Sequence, residues 1–193
     1  MDQTSPTPRT IFIGKLSRDY FILPDGKAAL DVPGGNLIYA AVGHLVWEPE
    51  PAPGLVARVG EDFPLEWLRN FQQRGLDTRG IKILPEPLDL RSFYVFPNRT
   101  TRLIEDPVIH FARLGIPFPK ALLGYRVQNN NLDSRTKLLP ISLRQSDLPS
   151  DYLGAGVAHL CPVDYLTHTL MPAVLRQAGF TTVTLDPTPG TMN

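Results

Sequence analysis

The chain has little cysteine and no excess of charge of either sign. Cys161 is the single cysteine, so no disulfide framework exists, and a reducing cytoplasm is the simplest compartment. Lys plus Arg and Asp plus Glu both number 19, which removes the basic surface expected of a partner for nucleic acid or a membrane face. No apolar run approaches the roughly 20 residues of a spanning helix. The start, MDQTSPTPRT, lacks the charged end and apolar centre of a signal peptide and reads as a short frayed tail. His44, His110, His159 and His168 have no metal-ligand spacing, and no metal site is expected. No G-x-x-x-x-G-K-[ST] loop occurs.

The composition is that of a folded chain. Of 193 residues 42% are hydrophobic and 20% charged, enough for the core of one ordinary domain. Twenty prolines point to many ordered turns. Ile11 to Ile13, stopped by Gly14, reads as a buried first strand. Tyr20 to Leu23 and Ala28 to Leu30 flank Pro24-Asp25-Gly26-Lys27 and read as a hairpin. Leu37 to Trp47 reads as a helix packed on more than one face, ended by Pro49, Pro51 and Pro53. Leu55 to Val59 is a strand ending at Gly60. Asp62 is placed to cap the next helix, with Pro64 in its first turn, an apolar stripe of Phe63, Trp67, Leu68 and Phe71, and Gly75 at its end.

Ile81 to Leu84 and Ser92 to Phe96 are further strands. Val157 to Cys161 is another, followed by a helix capped by Asp164 and interrupted at Pro172, then a strand over Thr182 to Leu185. Strand–helix–strand units of this kind predict an α/β fold with a mostly parallel sheet. The stretch 98–150 is the least regular. It holds eight Lys or Arg against four Asp or Glu and reads as a solvated loop region, with an insertion, a lid or a partner surface as alternatives.

Gly34-Gly35-Asn36 is the first candidate for chemistry. Glycines before a helix allow positive φ and let a ligand approach the backbone, while the helix start offers N–H groups. A tight turn with close helix–sheet packing uses the same residues. Asp19 is either an acceptor of hydrogen bonds from a polyol, since a carboxylate can take two, or a surface residue opening the hairpin. Asp164 and His168 lie four apart on one helix face, as an acid–base pair or as a cap with a salt-linked neighbour. Cys161 reads as a core residue.

The order of these pieces resembles that of the ribokinase-like (PfkB-type) carbohydrate kinases. The similarity runs through IFIGKLSRD at 11–19, the hairpin at 20–31, PGGN at 33–36, GLVARVGEDF at 54–63 and RGLDTRGI at 74–81. It continues through DLRSFYVF at 89–96, AHLCP at 158–162 and TVTLDPTPG at 182–190. The resemblance implies a single ribokinase-like domain over 1–193, with a mostly parallel sheet flanked by helices. A small β lid would comprise strands near 20–31 and 91–96. It implies ATP-dependent phosphoryl transfer to a sugar or nucleoside hydroxyl in the cytoplasm, with ATP and magnesium as cofactors. Asp19, Gly34, Gly35 and Asn36 would bind the acceptor. Tyr39 stands where many members carry an Asn facing the sugar, and could stack on a ring or base instead. Asp186, at a strand end, would lie near the nucleotide phosphates.

The resemblance also implies a glycine-rich motif of the type DTxGAGD, whose Asp is the catalytic base and whose glycines form an anion hole. No such motif occurs in the 193 residues, so no catalytic residue is assigned, and the main ATP and magnesium site is expected to be absent. The chain is read as truncated, with the C-terminal part of the fold missing and the chain alone inactive. An open sheet edge would follow, relieved by association with a second copy through the sheet or lid strands. The alternative is a non-catalytic ligand-binding or regulatory module derived from the kinase fold.

Overall fold

The computed structural model describes residues 6–127 and 135–187, and these divide into two compact units. The first, an α/β unit, comprises Met1–Leu16, Asn36–Leu88 and Asn130–Asn193. The second comprises Ser17–Gly35 and Asp89–Asn129.

Five strands of the α/β unit form one parallel sheet: β1 (Thr10–Ile13), β4 (Gly54–Val59), β5 (Asp77–Ile83), β7 (Val157–Leu160) and β8 (Thr182–Leu185). Their order is β5-β4-β1-β7-β8. The inner strands are apolar because helices cover both faces, and all six residues of β4 are buried. Helices α1 (Asn36–Leu45), α2 (Leu65–Gln73) and α4 (Tyr165–Gln177) connect or flank them. A core of Ile11, Ile13, Val56, Leu143, Leu160 and Met171 with their neighbours packs on this sheet.

The second unit is a three-stranded sheet in the order β3-β2-β6, from β2 (Ser17–Ile22), β3 (Ala28–Gly34) and β6 (Arg91–Val95). Strands β2 and β3 are antiparallel around the expected turn, where Gly26 has φ 79°. The strands run further than the sequence suggested, to Ser17 and Gly34. A bulge falls at Asp31, whose φ of 54° is held by a two-point ion pair from Arg18 (Nε to Oδ1 2.9 Å, Nη2 to Oδ2 2.7 Å). Strand alternation sends Tyr20, Ile22, Phe93 and Val95 into a core with Phe111 and Leu122, under α3 (Pro107–Arg113).

Several local expectations are revised. Asp62 does not cap α2: its Oδ1 accepts from the Leu88 amide at 3.0 Å and braces the loop after β4, while Pro64 itself is the N-cap residue. A Cβ on Gly60 would sit 2.3 Å from that same Leu88 nitrogen, which explains the glycine. Helix α1 buries Leu37, Ile38 and Ala41, but leaves Tyr39, Val42, Val46 and Trp47 exposed, so it packs on one face only among the described residues. The stretch 98–150 is not a solvated loop. It carries α3 and short 3-10 turns, and it buries Phe111 and Leu122 in one unit and Ile141, Leu143, Leu148 and Tyr152 in the other.

The anchor of its second half is an ion pair that the sequence did not disclose. Arg58, in the buried strand β4, donates from Nε to Asp147 Oδ2 at 2.7 Å and from Nη2 to Oδ1 at 2.9 Å. Lys82 Nζ (3.2 Å) and the Arg144 amide (2.9 Å) complete the shell of the carboxylate. Burial alone would push the Asp147 carboxyl up, but the hydrogen bonds from Arg58, Arg144 and Lys82 outweigh it and hold the carboxyl below its ordinary range. Removing one partner leaves a buried charge without its counter-ion. Asp147→Asn or Arg58→Met should therefore cost about 3–5 kcal/mol of stability, measured by urea unfolding. Because the folded-state pKa of Asp147 is depressed, its contribution is fully present above the unfolded value of about 4 and is lost as pH falls below it. An unfolding midpoint in the Asp147→Asn chain that falls as steeply with acid as in the parent would show that another carboxylate governs acid sensitivity.

Candidate functional site

In the second unit β2 carries alternate residues to opposite faces. Tyr20 and Ile22 enter the core; Ser17, Asp19 and Phe21 take the other side. Asp19 is only 3% exposed. Ser17 Oγ donates to its Oδ1 at 2.6 Å. The carboxylate lies where a side chain of Gly34 would be: a Cβ there would meet Asp19 Oδ2 at 1.9 Å. Gly34 is thus the last residue of β3, paired with Ser17, and not the start of a helix. Gly35 makes the joint, with φ 101°, and Asn36 opens α1. The two glycines serve different purposes, one removing a Cβ and the other supplying a backbone conformation.

The remaining candidates lie in the α/β unit. Ligands of open parallel sheets bind outside the carboxyl ends of the strands. Gly14, after β1, marks that edge: a Cβ on it would lie 2.9 Å from Cys161 Cβ and 3.1 Å from Leu37 Cβ. The first turn of α1 therefore sits at the carboxyl edge of β1 and β7, with Asn36 exposed. Tyr39 follows one turn on and is 59% exposed.

Asp186 is at the same edge of the sheet. It is exposed after the outer strand β8, and its amide donates to Leu160 O at 2.8 Å. Two strand spacings, about 10 Å, separate β8 from β1. Burial lowers the pKa of the His159 imidazole, and the Asp186 charge partly offsets this. Burial, helped by that charge, pushes the Cys161 thiol up to about 12, so it is an inert core thiol.

The sequence brackets Asp164 and His168 together, and the structure separates their work. Asp164 caps α4, accepting from the Thr167 amide (3.2 Å) and hydroxyl and from Ser142 Oγ (3.0 Å). His168 Nε2 bonds the Cys161 carbonyl at 2.8 Å, so neither the salt link nor the acid–base pair forms. Asp77 and Arg79 lie within the edge strand β5 and pair with each other.

Among the described residues no group of three or more His, Cys, Asp or Glu side chains comes together to hold a metal ion. Asp186 stands alone at the strand end where a nucleotide was expected. These donors do not fit magnesium and a triphosphate, and no transfer step is assigned to them. Sequence reasoning missed Ser17 and the aromatic residues that share a face with Asp19. The period-two pattern Ser17-x-Asp19-x-Phe21 was the available signal.

Comparison with known proteins places this geometry. No protein-family profile matches the chain. It is 37% identical to a cytidine kinase of Thermococcus kodakarensis over 119 residues, 61% of this chain and 41% of that protein. Among solved structures it is similar to a ribokinase from Giardia lamblia (TM-score 0.58, 16% identity, 95% of this chain and 51% of that one). It is likewise similar to a fructokinase from Xylella fastidiosa solved with bound ATP (TM-score 0.58, 16% identity, 94% and 50%). The fold is ribokinase-like, as the motif order implied, and the chain spans about half the length of the solved structures. No helix among the described residues is long and apolar enough to cross a membrane.

The Asp19–Gly34 contact can be tested without a ligand. Gly34→Ala should cost about 1–3 kcal/mol by denaturant unfolding, because the carboxylate must move. The same substitution in an Asp19→Ala background should cost much less. Equal costs in the two backgrounds would mean that the carboxylate does not occupy the Cβ position.

Proposed function

We propose that this chain is the acceptor-binding portion of a kinase that phosphorylates a hydroxyl of a sugar or nucleoside. The observation that carries this reading is Asp19, a buried carboxylate oriented by Ser17 and seated against the bare backbone of Gly34. A carboxylate so fixed can accept from two neighbouring hydroxyls at once, which selects a diol and orients it before any transfer. Gly34, Gly35 and Asn36 follow it directly in the chain, as in the motif order of the ribokinase-like kinases. The likeness to a cytidine kinase over 119 residues supports the same class of acceptor.

Transfer itself asks for a base on the acceptor hydroxyl and for donors around the phosphoryl group. The glycine-rich Asp motif that would provide both is not in these residues, and Asp186 alone does not replace it. In this reading the chain binds and orients the acceptor, while ATP and magnesium need groups outside it.

Two measurements test the proposal. The purified 193-residue chain should show no ATP-dependent phosphorylation of cytidine, ribose or fructose, and turnover by it would overturn the division of labour. A thermal-shift series with the same compounds should give an Asp19-dependent rise in Tm, abolished in Asp19→Asn. A ligand-dependent shift that survives Asp19→Asn would favour a binding module with its site elsewhere.

A further inference from the structure

The face of the small sheet that holds Asp19 also carries a partly exposed aromatic group. Register pairs Asp19 with Ser92 and Phe21 with Tyr94, so Asp19, Phe21 and Tyr94 share one side. Phe21 and Tyr94 stack at 5.4 Å between centroids with 20° between planes, and Phe96 lies 6.3 Å from Phe21. The Arg102 guanidinium lies 5.5 Å from the Tyr94 centroid, over its ring. Tyr94 is thereby engaged by both neighbours. Phe21 differs: on its β3 side its register partner is Ala29, a side chain too small to cover a ring. Asp19 leans toward the same β3 side, where Gly34 gives it room.

The carboxylate and the open side of Phe21 thus lie along one strand edge, one two-residue step apart. That step is about 7 Å, comparable to the reach from the ribose hydroxyls of a nucleoside to its base. A monosaccharide held by its hydroxyls at Asp19 would leave most of this aromatic surface against water. A planar base would cover it, and stacking of this kind tolerates any base because every base has a π-face.

We infer that the acceptor is a nucleoside, with its ribose diol on Asp19 and its base stacked on Phe21, while Tyr94 and Arg102 hold the Phe21 ring in place. This rests on the acceptor-binding reading above and narrows its substrate class. The apolar cleft of about 250 Å³ elsewhere in this unit, lined by Leu23, Val95, Leu103 and Arg113, includes neither Asp19 nor Phe21 and is a separate feature.

Isothermal titration of the full chain with cytidine, ribose and fructose tests the inference. Cytidine should bind at least tenfold more tightly than either sugar. Its ultraviolet absorbance should fall on binding, as stacked bases do. Phe21→Leu should weaken cytidine about tenfold and leave ribose within twofold, whereas Asp19→Asn should abolish both. Ribose or fructose binding as tightly as cytidine with dependence on Asp19 would overturn the nucleoside assignment and leave the acceptor reading standing. So would an unchanged cytidine affinity in Phe21→Leu. Absence of Asp19-dependent binding of all three compounds would overturn both. If Phe21→Leu does not fold, the cytidine-to-ribose ratio and the absorbance change of the parent chain decide the question.

Discussion

A positive charge placed in the middle of a buried parallel sheet has to be neutralised where it stands. Arg58 is in β4, between β5 and β1, and every residue of that strand is buried. Its counter-ion comes from a residue 89 positions later, Asp147, and the two-point geometry fixes both distance and orientation. The polypeptide between 135 and 155 is therefore pinned to the sheet by charge as well as by Leu143, Leu148 and Tyr152. Tyr152 adds a second point of attachment through its hydroxyl on the Asp77 carbonyl at 3.1 Å. Without the pair, this face of the sheet would carry a desolvated guanidinium, and the irregular segment would lose its reason to lie there.

The second unit follows a different economy. Its sheet has only three strands, too few to be stable alone, and one face is covered by α3 and the turns around Leu122. The other face carries the polar and aromatic groups. The strand that bears Asp19 is tied to β3 by the Arg18–Asp31 clamp at the bulge, and to Leu90 through the Arg18 amide at 2.8 Å. These ties position a carboxylate whose burial would otherwise be costly, and Ser17 satisfies one of its oxygens.

Much of this was legible in the chain. Ile11 to Ile13, Leu55 to Val59 and Val157 to Leu160 announce buried strands because helices on both faces demand apolar side chains throughout. Pro24-Asp25-Gly26-Lys27 announces its turn, and Asp164 its cap. The motif order led to the fold. What stayed hidden depended on partners remote in sequence. Arg58 sits in an apolar run, which signals a buried pair, but nothing local names Asp147. Asp62 has the look of a helix cap because its competing donor, the Leu88 amide, lies 26 residues on. Gly34 and Gly35 read as one motif, although one ends a strand and the other turns the chain. Helix α1 reads as buried all round because Tyr39, Val42, Val46 and Trp47 are apolar, and periodicity cannot tell an apolar face that is covered from one that is not.

The alternation along β2 has an implication for how this chain can vary. Residues 20 and 22 answer to the core beneath the small sheet, and residues 17, 19 and 21 answer to whatever lies above it. Two kinds of selection, for folding and for recognition, are thus interleaved at every other position of one six-residue strand. Changes in ligand preference can accumulate at the odd positions without disturbing the core, so a shared scaffold here can diverge in specificity while keeping its fold.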